Sequence, residues 1–185
     1  MPGNGHAGFG GRPHGKGPAP AGTSPCGRPY LHLWRREQGL LIVRGNPRGA
    51  NSLADLATLH VAKREVGAGT RVLLDQLLTA RGIASHDVAG PELRSHLEIA
   101  LAVASGIADV GLGLRAAATD LDLDFIPLIW EPYDIALGGD ALGAAKPLIT
   151  ALRDSQVQAS ISNLGGYDLA PAGTVEPLGE KYGES

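Results

Sequence analysis

The apolar run GLLIVRG (39–45), closed by the turn signal GNPRG, predicts a short buried strand. SLADLATL (52–59) switches to helical spacing, with Ser52 as a cap and Asp55 three residues on. HVAKREV (60–66) alternates apolar and polar residues, as a half-buried strand does. GAGT follows and opens an amphipathic helix that runs to about Arg81: Leu73 and Leu77, and Leu74 and Leu78, lie one turn apart, and Gly82 stops it. SHLEIALAVASG (95–106) is a second helix, boxed by Ser95 and Glu98 and ended by Gly106. ADVGLGL (108–114) reads as a buried strand and RAAATDL as a short helix. DFIPLIW (124–130) and YDIALGG (133–139) read as two further strands, and residues 147–166 as one broken helix or two short ones. Strands alternating with helices predict an α/β fold with a mostly parallel sheet.

Composition changes this picture at the amino terminus. Residues 1–28 are mostly glycine, proline, alanine and polar residues, with almost nothing to bury, so they are expected to be disordered. Residues 29–178 form the expected globular domain, and 179–185 a flexible tail. The net charge of −3 and 4% aromatic content argue against a nucleic-acid surface or a base-stacking platform. No apolar run approaches the roughly 18 residues that span a bilayer. The amino terminus lacks an apolar signal core. Cys26 is the single cysteine, so no disulfide forms within the chain, and a reducing, cytoplasmic setting is expected.

In a parallel α/β sheet, ligands bind beyond the carboxyl ends of strands, against helix amino termini. EVGAGTRVLLDQLL (65–78) lies at such a place. Gly67 and Gly69 let the backbone turn tightly and approach a ligand. The first amides of the helix lack partners within it, and its dipole favours negative charge. Thr70 offers a hydroxyl and Arg71 a planar donor fork. These parts suit an oxyanion or a carboxylate. The same glycines also serve a close strand–helix turn with no ligand, and the residue types leave both readings open.

Other motifs carry less. GGDALGAAK (138–146) has Ala144 where a phosphate loop needs lysine. DLDLDF (120–125) lacks the glycine of a calcium loop. His32, His60, His86 and His96 share no metal-ligand spacing, and only His96 falls near the expected cleft. There is no nucleophile elbow and no clear acid–base carboxylate pair. No metal, cofactor or catalytic set is expected, and the chain is read as no enzyme.

WRREQGLLIVRGNPRG, GAGTRVLLDQLL, HLEIALAVASGIADVGLGLRAAATDLDLDFIPLIWEPYDIAL and LGGYD occur in that order. In this the chain resembles the periplasmic-binding-protein-like domain of molybdate- and molybdopterin-linked regulators and biosynthesis proteins. The resemblance covers about residues 30–175. It implies the type II fold: one complete lobe (48–120) with a parallel-rich sheet flanked by helices, plus a truncated second lobe. It implies a non-catalytic sensor domain for an oxyanion such as molybdate or tungstate, in a truncated regulator. The alternative is an accessory or fragment of a molybdenum-cofactor biosynthesis enzyme. Carried over, the ligand-binding motif falls on Gly67, Ala68, Gly69, Thr70 and Arg71, with Ala68 where the family commonly has serine. Lys63 and Arg64 would keep the rim positive. Gly111 and Gly113 would face the same cleft, and Tyr167 would close it or pack. The implied partners are the small oxyanion or a molybdenum-cofactor-related compound, a DNA-binding partner or missing domain, and a second copy of the chain. Direct contact with nucleic acid or membrane is not expected.

Overall fold

The computed structural model describes residues 28–138 and 141–176. The expected disorder of residues 1–27 and the expected tail at 179–185 lie outside the described residues.

The strand expected at 39–45 already starts at Tyr30: β1 spans Tyr30–Ile42. Its first half buries Leu31 and Leu33 between half-buried neighbours, so one face is covered there. From Gln38 onward every residue is buried, so both faces are covered, and period-2 alternation disappears. After a 3-10 helix at Leu53–Thr58, capped by Ser52 and Asp55, come β2 (Val61–Arg64) and α1 (Gly69–Thr79). Then follow β3 (Glu92–Leu93), α2 (His96–Ala104), β4 (Val110–Leu114) and α3 (Arg115–Asp120). The two strands expected between 124 and 139 are one, β5 (Asp124–Ala136). Pro127 and Pro132 do not interrupt it, because β5 is the outermost strand and its free edge needs no donor there. The carboxyl-terminal helices are α4 (Ala141–Arg153), with Pro147 inside it, and α5 (Ser155–Ser162). Two short strands, β6 (Tyr167–Asp168) and β7 (Val175–Glu176), end the described chain.

The sheet has the order β3-β2-β4-β1-β5. β2 runs parallel to β3 and β4, but the other pairings, all made by β1, are antiparallel, so the sheet is mixed rather than mostly parallel as the strand–helix alternation predicts. β1 is antiparallel to both β4 and β5. β1 and β5 pair along their whole length, with Tyr30 opposite Ala136 and Ile42 opposite Asp124. β6 and β7 pair with the first half of β1, beyond the reach of β4.

Helices cover both faces of the parallel trio. On one face α1 buries Leu74 and Leu78 against Leu40, Ile42, Val61, Val110 and Leu112. On the other α2 buries Ile99, Ala102 and Val103 against Ala62 and Ala108, while Ala100 of the same helix packs with Leu41, Ala117 and Ala118. These clusters draw on β1, so residues 48–120 do not close their core alone. A separate cluster joins the first half of β1 (Leu31, Leu33) to Leu137, Ala145, Leu152 and Ala172. β1 and β5 thus run through two packed bodies. Among the described residues, no helix is long and apolar enough to cross a membrane.

Candidate functional site

The carboxyl ends of β2, β3 and β4 open onto one edge of the sheet. The antiparallel β1 enters that edge at Arg36–Gln38 and β5 leaves it at Ile129–Glu131, since Gln38 pairs with Ile129 and Arg36 with Glu131. A bulge between Gln38 and Gly39 shifts the register there. Bulges commonly re-aim side chains beside functional sites.

β2 reaches α1 through a turn in which Ala68 N–H donates to the Glu65 carbonyl. Gly67 has φ +93°, which a side-chain-bearing residue would adopt only with strain. Ala68 is the N-cap of α1 and supplies no side-chain cap. The Arg71 and Val72 N–H groups donate to the Ala68 carbonyl. Among the described residues, the N–H groups of Gly69 and Thr70 have no acceptor; Gly69 is exposed, whereas Thr70, expected to offer its hydroxyl, is buried at 3% exposure. The contrast with α2 is direct: there the Ser95 hydroxyl accepts from the Glu98 N–H at 3.0 Å. Alanine at 68 therefore leaves unpaired the Thr70 amide that a capping serine or threonine could take, while the Gly69 amide lies at a position that no N-cap side chain reaches.

Facing this turn is a polar cluster that local sequence signals did not reveal. Glu131 Oε2 accepts from Arg36 Nε at 2.7 Å and from Gln38 Nε2 at 2.5 Å. Its other carboxylate oxygen lies 3.8 Å from the position a Gly69 Cβ would take. His96, at the start of α2, and Arg64, at the end of β2, complete the group. Burial, together with the nearby positive charges of Arg36 and Arg64, lowers the His96 pKa to about 4; Glu131 opposes them. His96 is therefore neutral at pH 7. Among the described residues, three buried side-chain polar atoms are unpartnered: Gln38 Oε1, Arg64 Nε and His96 Nδ1. Such atoms are costly unless something else satisfies them. Arg36 is paired with Glu131, and Arg64 lies 3.7 Å from Glu65, so the two guanidinium charges each have a carboxylate nearby.

Several expected site residues serve other ends. The Arg71 guanidinium does not point into the opening. It donates to Glu92 at 2.6 Å, to Asp75 at 3.0 Å and to the Arg64 carbonyl at 3.1 Å, tying α1 to β2 and β3. The Glu92 bond and the Asp75 charge hold its pKa up against burial. Lys63 is not on a rim either: it is 7% exposed, and its ammonium donates to the Val88 carbonyl. Burial and the Arg71 charge lower its pKa. Gly111 faces α2 rather than the cleft, whereas the open side of Gly113 meets Leu41 and lies 3.9 Å from His96 Nδ1. A Cβ on Gly111 would sit 2.4 Å from Ile99 Cγ2, and one on Gly113 2.9 Å from Leu41 Cδ1. They let α2 and β1 pack closely on β4. Tyr167 packs edge-on against Trp34, ring centres 5.9 Å apart, in an aromatic group that includes Tyr133 and the Arg36 guanidinium. It abuts the site through Arg36 rather than covering the Gly67–Thr70 turn.

Beside Gly69, the start of α1 and the middle of β5 enclose a groove of about 330 Å3. Val72, Leu73, Ile129 and Trp130 form its apolar walls, and Glu131 stands at its polar end.

A family model described as a PBP (periplasmic-binding-protein) superfamily domain matches residues 27–153. The protein YvgK of Bacillus subtilis (strain 168) is 36% identical over 155 residues, which cover 80% of this chain and 50% of that protein. A protein from the 5′ region of a 2Fe-2S ferredoxin gene of Clostridium pasteurianum is 30% identical over 109 residues, 56% of this chain and 96% of its own length. Among solved structures, the ancestral amino acid-binding protein AncCDT-1, a precursor of cyclohexadienyl dehydratase, superposes with a TM-score of 0.55 at 16% identity, over 77% of this chain and 63% of that one. The chain thus spans half the length of YvgK and under two thirds of that structure. With a parallel trio flanked by helices, two antiparallel strands running into a second packed body, and a family match over most of its globular part, the chain belongs to the PBP superfamily.

Proposed function

We propose that this domain is a non-catalytic receptor for a small anionic ligand, seated where α1 begins. One observation carries the reading: the Gly69 N–H, without an acceptor at the exposed start of α1, stands beside the polar cluster of Arg36, Arg64, Glu131 and neutral His96. Unpaired amides at a helix start bind anions through direct hydrogen bonds and the helix dipole. Arg71 acts from behind, holding the first turn of α1 against β2 and β3. No proton transfer or bond cleavage is assigned to the site.

Binding would shift an equilibrium between open and closed arrangements around β1 and β5, the two strands shared by both packed bodies. The resemblance to molybdate- and molybdopterin-linked domains makes molybdate and tungstate the first ligands to try. The amino acid-binding character of AncCDT-1 adds carboxylates. Thermal-shift measurements with molybdate, tungstate, sulfate, phosphate and carboxylates at millimolar concentration test the reading. Stabilisation by at least one of them, lost in Gly69→Pro, is expected. Silence across the panel would remove it.

A further inference from the structure

Resting on that reading, we infer that the ligand is an organic anion with a hydrogen-bond donor beside its charge and an apolar body, not a bare oxyanion. Gln38 is fully buried. Its Nε2 donates to Glu131, and a carboxylate can only accept, so the orientation of the amide is fixed. Gln38 Oε1 is then a buried acceptor without a partner. The second acceptor is the Glu131 oxygen that faces Gly69. A ligand that takes the Gly69 amide meets this carboxylate at once. A bare oxyanion carries only acceptors, and on the Gly69 amide it would press negative charge against Glu131. A ligand whose carboxylate lies on the Gly69 amide, with an N–H or ammonium alongside for Glu131, satisfies both.

The groove supplies the remaining requirement. Its 330 Å3 exceed what a four-oxygen anion fills. Its walls include Val72, 48% exposed, Ile129, 41%, and Trp130, 44%, all large apolar side chains left open beside a polar end. An apolar or aromatic body extending from Gly69 along α1 would cover them.

Titration calorimetry on the full chain with two matched pairs tests this: L-tryptophan with indole-3-pyruvate, and L-leucine with 4-methyl-2-oxopentanoate, each pair differing in the α-ammonium. L-alanine, without the body, and molybdate complete the set. The amino acid of at least one pair is expected to bind ten-fold or more tightly than its oxo acid, L-alanine and molybdate. Trp130→Ala, at an exposed position that leaves the core intact, is expected to weaken that amino acid at least five-fold without changing L-alanine. Molybdate or the oxo acids binding as tightly as the amino acids, or binding indifferent to Trp130→Ala, would overturn the inference and leave an anion receptor standing. No binding by any of the six would overturn both.

Discussion

At the scale of single residues, Gly69 separates binding from folding. It occupies the first position of α1 after an extended Ala68, where proline is well tolerated and its missing N–H costs the helix nothing. Gly69→Pro should change unfolding free energy by no more than about 1 kcal/mol in urea titrations, while removing the open Gly69 amide and the ligand-induced thermal shift. Gly111 is the opposite case. Gly111→Ala drives a methyl group into Ile99 and should cost about 1–3 kcal/mol by the same titrations. His96 sets an acid limit. Its folded pKa, about 4, lies below its unfolded value near 6.5, so the folded state resists protonation. Its contribution is intact above pH 6.5 and lost as pH falls toward 4. Comparing unfolding free energies of the parent and His96→Gln across that window should show the variant losing less, by on the order of 2 kcal/mol.

At the scale of elements, α1 is secured by two means. Leu74 and Leu78 bury its inner face, and Arg71 ties its first turn to the ends of β2 and β3. Arg71→Ala removes three hydrogen bonds from a nearly buried guanidinium whose carboxylate partners are themselves partly exposed. A loss of about 1–3 kcal/mol is expected in thermal or chemical unfolding. Binding should weaken less than in Gly69→Pro, because the guanidinium does not line the opening. β5 is an outer strand, and Pro127 and Pro132 blunt its open edge by removing donors that another strand could use. Its exposed Ile129 and Trp130 therefore suit a side-chain contact better than strand addition.

For the molecule as a whole, β1 and β5 divide their length between two bodies. The larger core has Leu40, Ile42, Val61, Val110 and Leu112 at 4% exposure or less, with helices on both sides. The smaller rests on Leu31 and Leu33 against α4 and the segment around Ala172. Native-state hydrogen exchange should find the amides of Leu40–Ile42 the slowest, and those of Leu31–Leu33 opening at lower free energy. Equal protection along β1 would mean that the two bodies unfold together.

The local grammar of the chain specified the α/β alternation and α1 and α2, but not the antiparallel course of β1, which makes the sheet mixed. Capping by Ser52 and Ser95, leucines one turn apart in α1, and glycines with positive φ at 82 and 106 each act over a few residues. So does the opening of α1 at Gly69. Tertiary structure alone decided the rest. The first half of β1 looks polar in sequence because only one of its faces is covered, and β5 survives its prolines because it lies at the edge. Gly111 resembles a cleft glycine until α2 is seen against it. Arg71 resembles a ligand donor until Glu92 is placed beside it. The cluster of Gln38, Arg36 and Glu131 joins residues more than ninety apart in sequence. No local signal encodes that proximity, because it is fixed only when the two antiparallel strands pair in register.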